Sequence, residues 1–133
     1  MTPPRAGPTS STTISTPTGA PAITSATGNN GTASAVVVFT GIDPSANGGS
    51  AVTGYIVRAY TSGGSASTTN TCSTNSTTYT CTVSGLSYKT EYVFKVAAIN
   101  IAGTGTYSPI SLPVTLNLTQ TITFPTPSLV ILE

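Results

Sequence analysis

The stretch Val83-Ser-Gly-Leu86-Ser-Tyr-Lys-Thr-Glu-Tyr92-Val-Phe94-Lys-Val96-Ala-Ala-Ile-Asn100-Ile-Ala-Gly103-Thr-Gly105 decides the fold. From Glu91 to Asn100 the apolar side chains Tyr92, Phe94, Val96 and Ala98 recur at every second position. Successive side chains of a strand point to opposite faces, so this is the pattern of a strand with one buried face. Those four are expected to point inward, and Val93, Lys95 and Ala97 outward. Gly103-Thr104-Gly105 then turns the chain into a further strand.

Outward from this stretch the same period repeats. Ala22–Thr27 forms a short first strand, closed by the turn cluster Gly28-Asn29-Asn30-Gly31. Ser34–Thr40 is the second, with Ala35, Val37 and Phe39 on one face. Val52–Tyr60 is the third, alternating through Tyr55, Val57 and Ala59. The polar region Ser62–Asn75 holds one short strand around Thr69–Ser73. Thr78–Ser84 follows, with Tyr79, Cys81 and Val83 on one face, and a last strand covers Thr106–Leu116, where Pro109 and Pro113 mark an edge. Gly, Pro or β-branched residues interrupt every window long enough for a helix. Seven antiparallel strands in this length predict an all-β, two-sheet, immunoglobulin-like sandwich. Its core is expected at Ala35, Val37, Phe39, Tyr55, Val57, Val83, Phe94 and Val96.

Composition limits the chemistry. Only 5% of the 133 residues are charged, there is no His, and the formal charge is +1. Ser and Thr supply about a third of the chain, well above ordinary usage. Four basic residues cannot neutralise many phosphates, which argues against nucleic-acid binding. Zinc, iron and calcium sites lack ligands, and general acid–base catalysis lacks a group that titrates near neutrality. A nucleophilic Ser would need Lys89 or Lys95 as its base, and both belong to exposed positions where lysine stays protonated. An isopeptide through Lys95 is disfavoured because its parity places it outward, in a solvated Arg58–Glu91–Lys95 charge cluster worth little to stability. The expectation is therefore a non-enzyme without cofactor or metal.

Residues 1–20, with Pro at 3, 4, 8 and 17, are expected to form an extended linker, followed by a sandwich at 21–116 and a C-terminal extension or following module at 117–133. No stretch reaches transmembrane length. Cys72 and Cys81 read as a short-range disulfide, with two free thiols as the alternative, and a disulfide points to an extracellular or cell-surface location. Sequons at Asn30, Asn75 and Asn117 are expected by chance in so Ser/Thr-rich a chain. Val36 and Val38 point outward beside Thr80 and Thr82. They are explained by β-propensity or by a contact face for a neighbouring module or added strand.

The run Asn47-Gly-Gly-Ser-Ala-Val-Thr-Gly-Tyr55-Ile-Val57 resembles the loop into strand C of fibronectin type III domains, the bacterial ones especially. The stretch Val83–Gly105 is similar to that family's E–F turn, strand F and F–G loop, with Leu86 and Tyr92 at the positions of its tyrosine corner. The resemblance covers about residues 20–116. Phe39 stands where the family usually has Trp, the proline pair after strand B is reduced to Asp43-Pro44, and no Arg-Gly-Asp occurs in the F–G loop. The cysteine pair resembles one found in some bacterial members. The resemblance implies a non-catalytic structural module, a spacer or adhesion scaffold in a larger secreted or surface protein, whose partners are neighbouring domains or subunits. Two rivals stand beside it. One is a self-assembling filament or virion subunit, a homo-oligomer sharing terminal strands such as Thr121–Phe124. The other is a glycan-binding module using Tyr60, Tyr88 or Tyr107.

Overall fold

The computed structural model describes residues 13–118. Among the described residues eight strands form: β1 (Ala22–Asn29), β2 (Ser34–Thr40), β3 (Gly54–Thr61), β4 (Ala66–Asn75), β5 (Thr80–Val83), β6 (Glu91–Asn100), β7 (Gly103–Tyr107) and β8 (Val114–Thr115). One antiparallel sheet has the order β1-β2-β5. The other runs β4-β3-β6-β7, with β8 also paired to β6. Between the sheets lie Ala35, Val37, Phe39, Tyr55, Val57, Val83, Phe94 and Val96, all buried, joined by Ala59, Leu86, Tyr92, Ala98, Val114 and Leu116.

The last strand expected at Thr106–Leu116 is two strands with a non-ladder segment between them. Pro109 has no N–H to donate and Pro113 none either, so continuous pairing with β6 is impossible there. The seryl hydroxyls take over. Ser108 N donates to Val96 O at 2.8 Å, and Val96 N donates back to Ser108 Oγ at 3.0 Å. Three residues on, Ser111 N donates to Phe94 O at 2.9 Å, and Phe94 N donates to Ser111 Oγ at 2.9 Å. Each Ser thus supplies both a donor and an acceptor to a buried strand.

Three other expectations are corrected or refined. The outward face expected for Val93 and Ala97 is a covered one, for they are 3% and 0% exposed. Beside Val93 lie Gly64 and Ile110: a Cβ built on Gly64 would fall 2.8 Å from Ile110 Cγ2 and 3.7 Å from Val93 Cγ2. Ala97 is small and lies between Ile56 and Tyr107 in the register. The strand expected to be short, at Thr69–Ser73, is the ten-residue β4, whose half-buried positions are Thr68, Asn70, Cys72 and Thr74. Its period of two is carried by polar side chains, which an apolar pattern search passes over.

The expected linker is the third case, for residues 13–20. Pro17 is fully buried, Ser15 N donates to Gly48 O, and Thr18 N and Gly19 N donate to Ala46 O. Thr106 N donates to Pro17 O. Gly105 has to be glycine for this, because a Cβ there would fall 2.3 Å from Pro17 O. Buried Asn100 fastens the segment: its Nδ2 donates to Ser15 O at 2.7 Å and to Asn47 O at 2.8 Å. Residues 1–12 lie outside the described residues, as do 119–133 and the strand candidate Thr121–Phe124 within them.

Substituting Ser111→Ala leaves the buried Phe94 N–H without its acceptor. The expected cost is about 1–3 kcal/mol, read as a lower urea midpoint with the slope unchanged. An unaltered midpoint would show that the hydroxyl is not the partner that matters.

Candidate functional site

Three places carry the polar and reactive groups. The first is the closed edge between the sheets. β4 and β5 are edge strands of opposite sheets, and Cys72 and Cys81 are disulfide-bonded across them. Polar bonds extend this seam: Asn70 Nδ2 donates to Ser84 O at 2.9 Å and Gly85 O at 3.1 Å; within the larger sheet Thr68 Oγ1 ties β4 to β3 by donating to Ala59 O at 2.8 Å. Asn70 carries no motif and is recognisable only once β4 is placed beside the β5–β6 turn.

The second is that turn. Tyr92 Oη accepts from Ser87 N at 2.9 Å, which is the tyrosine-corner bond. Leu86 is buried beneath it and its N–H donates to Ala33 O. Lys89 takes a left-handed conformation, φ 58°, and its N–H reaches Leu116 O at 2.7 Å. Tyr88 Oη donates to Asn30 O at 2.7 Å.

The third is the outer face of the larger sheet. Arg58 and Lys95 are directly opposed on β3 and β6. The expected Arg58–Glu91–Lys95 charge cluster does not form. Arg58 Nη1 donates to Thr68 O at 3.2 Å, and Lys95 Nζ lies 4.6 Å from the Tyr60 ring centre. Tyr60 and Tyr107 meet edge to face at 6.5 Å. Of the three tyrosines considered for sugar stacking, the structure brings these two together and places Tyr88 in the turn. On the opposite sheet Val36 and Val38 are 38% and 37% exposed, paired with Thr82 and Thr80.

Phe39 packs against Tyr55 at 5.3 Å and Tyr79 at 6.1 Å, so three smaller rings fill the region expected for one indole. Gly41 permits this, since a Cβ there would sit 2.7 Å from both Tyr55 Oη and Tyr79 Cε1.

Titration chemistry is sparse. Asp43 accepts from Ser45 N at 2.9 Å and Ser45 Oγ at 2.8 Å, and these bonds, the backbone one first, hold its carboxyl below the ordinary value. Burial raises the Tyr55 and Tyr60 phenols. Tyr79 adds to the first shift while the Ile42 N–H opposes it; Tyr107 adds to the second while Arg58 opposes it. Among the described residues no group of three or more His, Cys, Asp or Glu could hold a metal. No helix among them is long and apolar enough to cross a membrane.

Two antiparallel sheets closing on one apolar core, with a tyrosine corner at the turn before the central strand, define an immunoglobulin-like β-sandwich. The fibronectin type III domain profile matches residues 19–114, and the chain belongs to that family. The third fibronectin III domain of human KIAA0343 protein is similar at 17% identity and a TM-score of 0.65, covering 85% of this chain and 93% of that one. The FN1–FN3 domains of chicken CNTN1 match at 20% identity and a TM-score of 0.60 over 76% of this chain. This chain spans 33% of that fragment. A titin fragment of the kinase and its flanking domains matches at 25% identity and a TM-score of 0.53, covering 77% of this chain and 17% of the fragment. Fibronectin type III domains are typically non-catalytic structural or adhesion modules in larger proteins.

Two measurements follow from this geometry. Reducing the disulfide is expected to lower stability by about 2–3 kcal/mol, because opening so short a loop restores unfolded-chain entropy. Thiol titration of the unreduced, denatured protein should find no free thiol, and two would contradict the bond. The pH profile follows from the signs of the shifts. Asp43 is lowered from 3.8, so its contribution is present above that value and lost as pH falls through the folded one. Tyr55 and Tyr60 are raised from 10.0, so theirs is present below 10.0 and lost as pH rises further. Urea midpoints should therefore be level between about pH 5 and 9 and fall outside that range. A step near pH 6.5, the ordinary histidine range, would contradict this assignment.

Proposed function

We propose that the domain is a load-bearing spacer or adhesion scaffold within a larger extracellular or surface protein. One observation carries this reading: the chain enters and leaves at opposite poles. Ser15 is bonded to Gly48 and to Asn100, whose amide also donates to Asn47 O, at the pole of the β2–β3 and β6–β7 loops. Asn117 N donates to Asn30 Oδ1 at the other pole, beside the β1–β2 and β5–β6 turns. A domain tied in this way transmits tension along its strands and sets a fixed distance between its neighbours. The disulfide supports an oxidising compartment. Partners, on this reading, are the flanking domains.

A second reading, contact with a saccharide, draws on the Tyr60–Tyr107 pair alone, because the Tyr88 hydroxyl is engaged with Asn30.

Single-molecule extension from handles at the two ends tests the spacer reading. The expectation is one cooperative rupture. Reduction should then lengthen the released chain by roughly 30 Å, from about nine residues at ~3.4 Å each that the disulfide holds closed. Gradual extension at low force, without a rupture peak, would overturn the load-bearing role.

A further inference from the structure

The outer face of the larger sheet brings together groups that the sandwich itself does not require. Three basic side chains lie among the described residues, Arg58, Lys89 and Lys95, and two of them, Arg58 and Lys95, are directly opposed on β3 and β6. Side chains so placed have Cβ atoms about 5 Å apart, and like charges there repel and cost stability. On its other side Arg58 is opposed by Thr71 of β4, so no carboxylate relieves the pair from that strand. Glu91 shares the face of Lys95 but stands at the start of β6, about 13 Å away along the strand. Asp43, the other described acid, is held by Ser45 in the β2–β3 loop.

Beside the two cations stands an aromatic pair. Tyr60 and Tyr107 meet edge to face at 6.5 Å, and Lys95 Nζ lies 4.6 Å from the centre of the Tyr60 ring. Burial raises the Tyr60 phenol most, Tyr107 adds to the shift and Arg58 opposes it, so the guanidinium is within electrostatic reach of the ring. All four residues are half-buried, and packing limits their side chains before any ligand arrives. Arg58 is steadied further by the bond from Nη1 to Thr68 O at 3.2 Å. A guanidinium has five N–H donors, so this bond leaves others for a ligand.

The chemistry of these groups selects what binds. A tyrosine ring offers a flat apolar surface with a polar tip, and a sugar ring has apolar C–H faces and polar edges to match. Arg and Lys donate hydrogen bonds but accept none. A neutral sugar needs acceptors for its own hydroxyl protons, and the two cations supply none. A uronic acid brings the acceptor with it, because its carboxylate takes paired bonds from a guanidinium.

We propose that Tyr60, Tyr107, Arg58 and Lys95 form a binding site for an acidic polysaccharide, the uronate ring stacking on the tyrosines and its carboxylate bridging the two cations. This assignment rests on the saccharide reading above and names the class of saccharide. The bound carboxylate offsets the Arg58–Lys95 repulsion, which an unliganded sheet has no means to relieve.

Amide shifts of the full chain, titrated with a hexamer of galacturonic acid and separately with the neutral hexamer of galactose, test the proposal. The acidic hexamer is expected to move the amides around Arg58, Tyr60, Lys95 and Tyr107, and to bind at least about tenfold more tightly than the neutral one. That advantage should vanish in Arg58→Gln and in Lys95→Gln, and it should shrink as salt screens the charges. Tyr107→Ala should weaken both sugars, whereas Tyr107→Phe, which keeps the ring, should not; equal urea midpoints establish that each variant is folded. Equal affinity for the two hexamers would overturn the uronate assignment and leave the saccharide contact standing. Absence of shifts with either would overturn both. Binding of a hexamer of aspartate as tightly as the acidic sugar would also overturn the assignment, because the site would then be one for an acidic peptide. None of these results bears on the force measurement, which reads the rupture of the sandwich itself.

Discussion

Everything in this sandwich leans on one strand, and on the requirement that a buried backbone group be paired. β6 crosses the whole domain with seven of its ten residues buried, so its N–H and C=O groups must find their partners within the protein. On one side β3 supplies an unbroken ladder from Gly54 to Tyr60. On the other side three devices share the work: β7 at the Asn100 end, β8 at the Glu91 end, and the paired bonds of Ser108 and Ser111 between them. The middle device is the most constrained. A hydroxyl can accept from a strand N–H while its own backbone N–H donates to the same strand residue, so Ser does what an interrupted strand cannot.

The same substitution of hydroxyls and amides for charge runs through the rest of the molecule. Where charged pairs would ordinarily fasten an edge, β4 is held by Thr68, Asn70 and a disulfide. The N-terminal segment is held by the Asn100 amide, and the departing chain by the Asn30 amide. These bonds are short-range and neutral, so they respond little to salt, unlike exposed ion pairs. They also depend on direction. A fastening built this way locks geometry at the two poles, which suits a module that sets a distance.

How much of this was legible in the sequence depended on who carried the pattern. β2 and β6 alternate with apolar side chains, and their bounds and inward faces could be read directly from Ser34–Thr40 and Glu91–Asn100. β4 alternates just as strictly, but its inward residues are Thr68, Asn70, Cys72 and Thr74, and hydropathy does not distinguish them from their outward neighbours. The burial of Val93 and Ala97 was hidden for a different reason. Parity gives a side chain's direction, while cover comes from segments distant in the chain, here Gly64, Ile110 and Tyr107. The linker reading of residues 13–20 rested on prolines. Pro17 does keep that segment out of a ladder, but its ring is apolar and its carbonyl is an acceptor, and both find places on the domain. The Tyr92 corner was reached by resemblance. The Asn100 bridge, equally structural, had no such guide.

Low charge has opposite consequences for the two kinds of exposed sheet surface. On a face, as at Val36 and Val38, isolated valines among threonines are ordinary β-formers. On an edge, the backbone itself is adhesive, and nothing along β1 repels an approaching strand. In this chain the polar side chains along that edge are the hydroxyls of Thr24, Ser25 and Thr27, which carry no charge with which to turn a strand away.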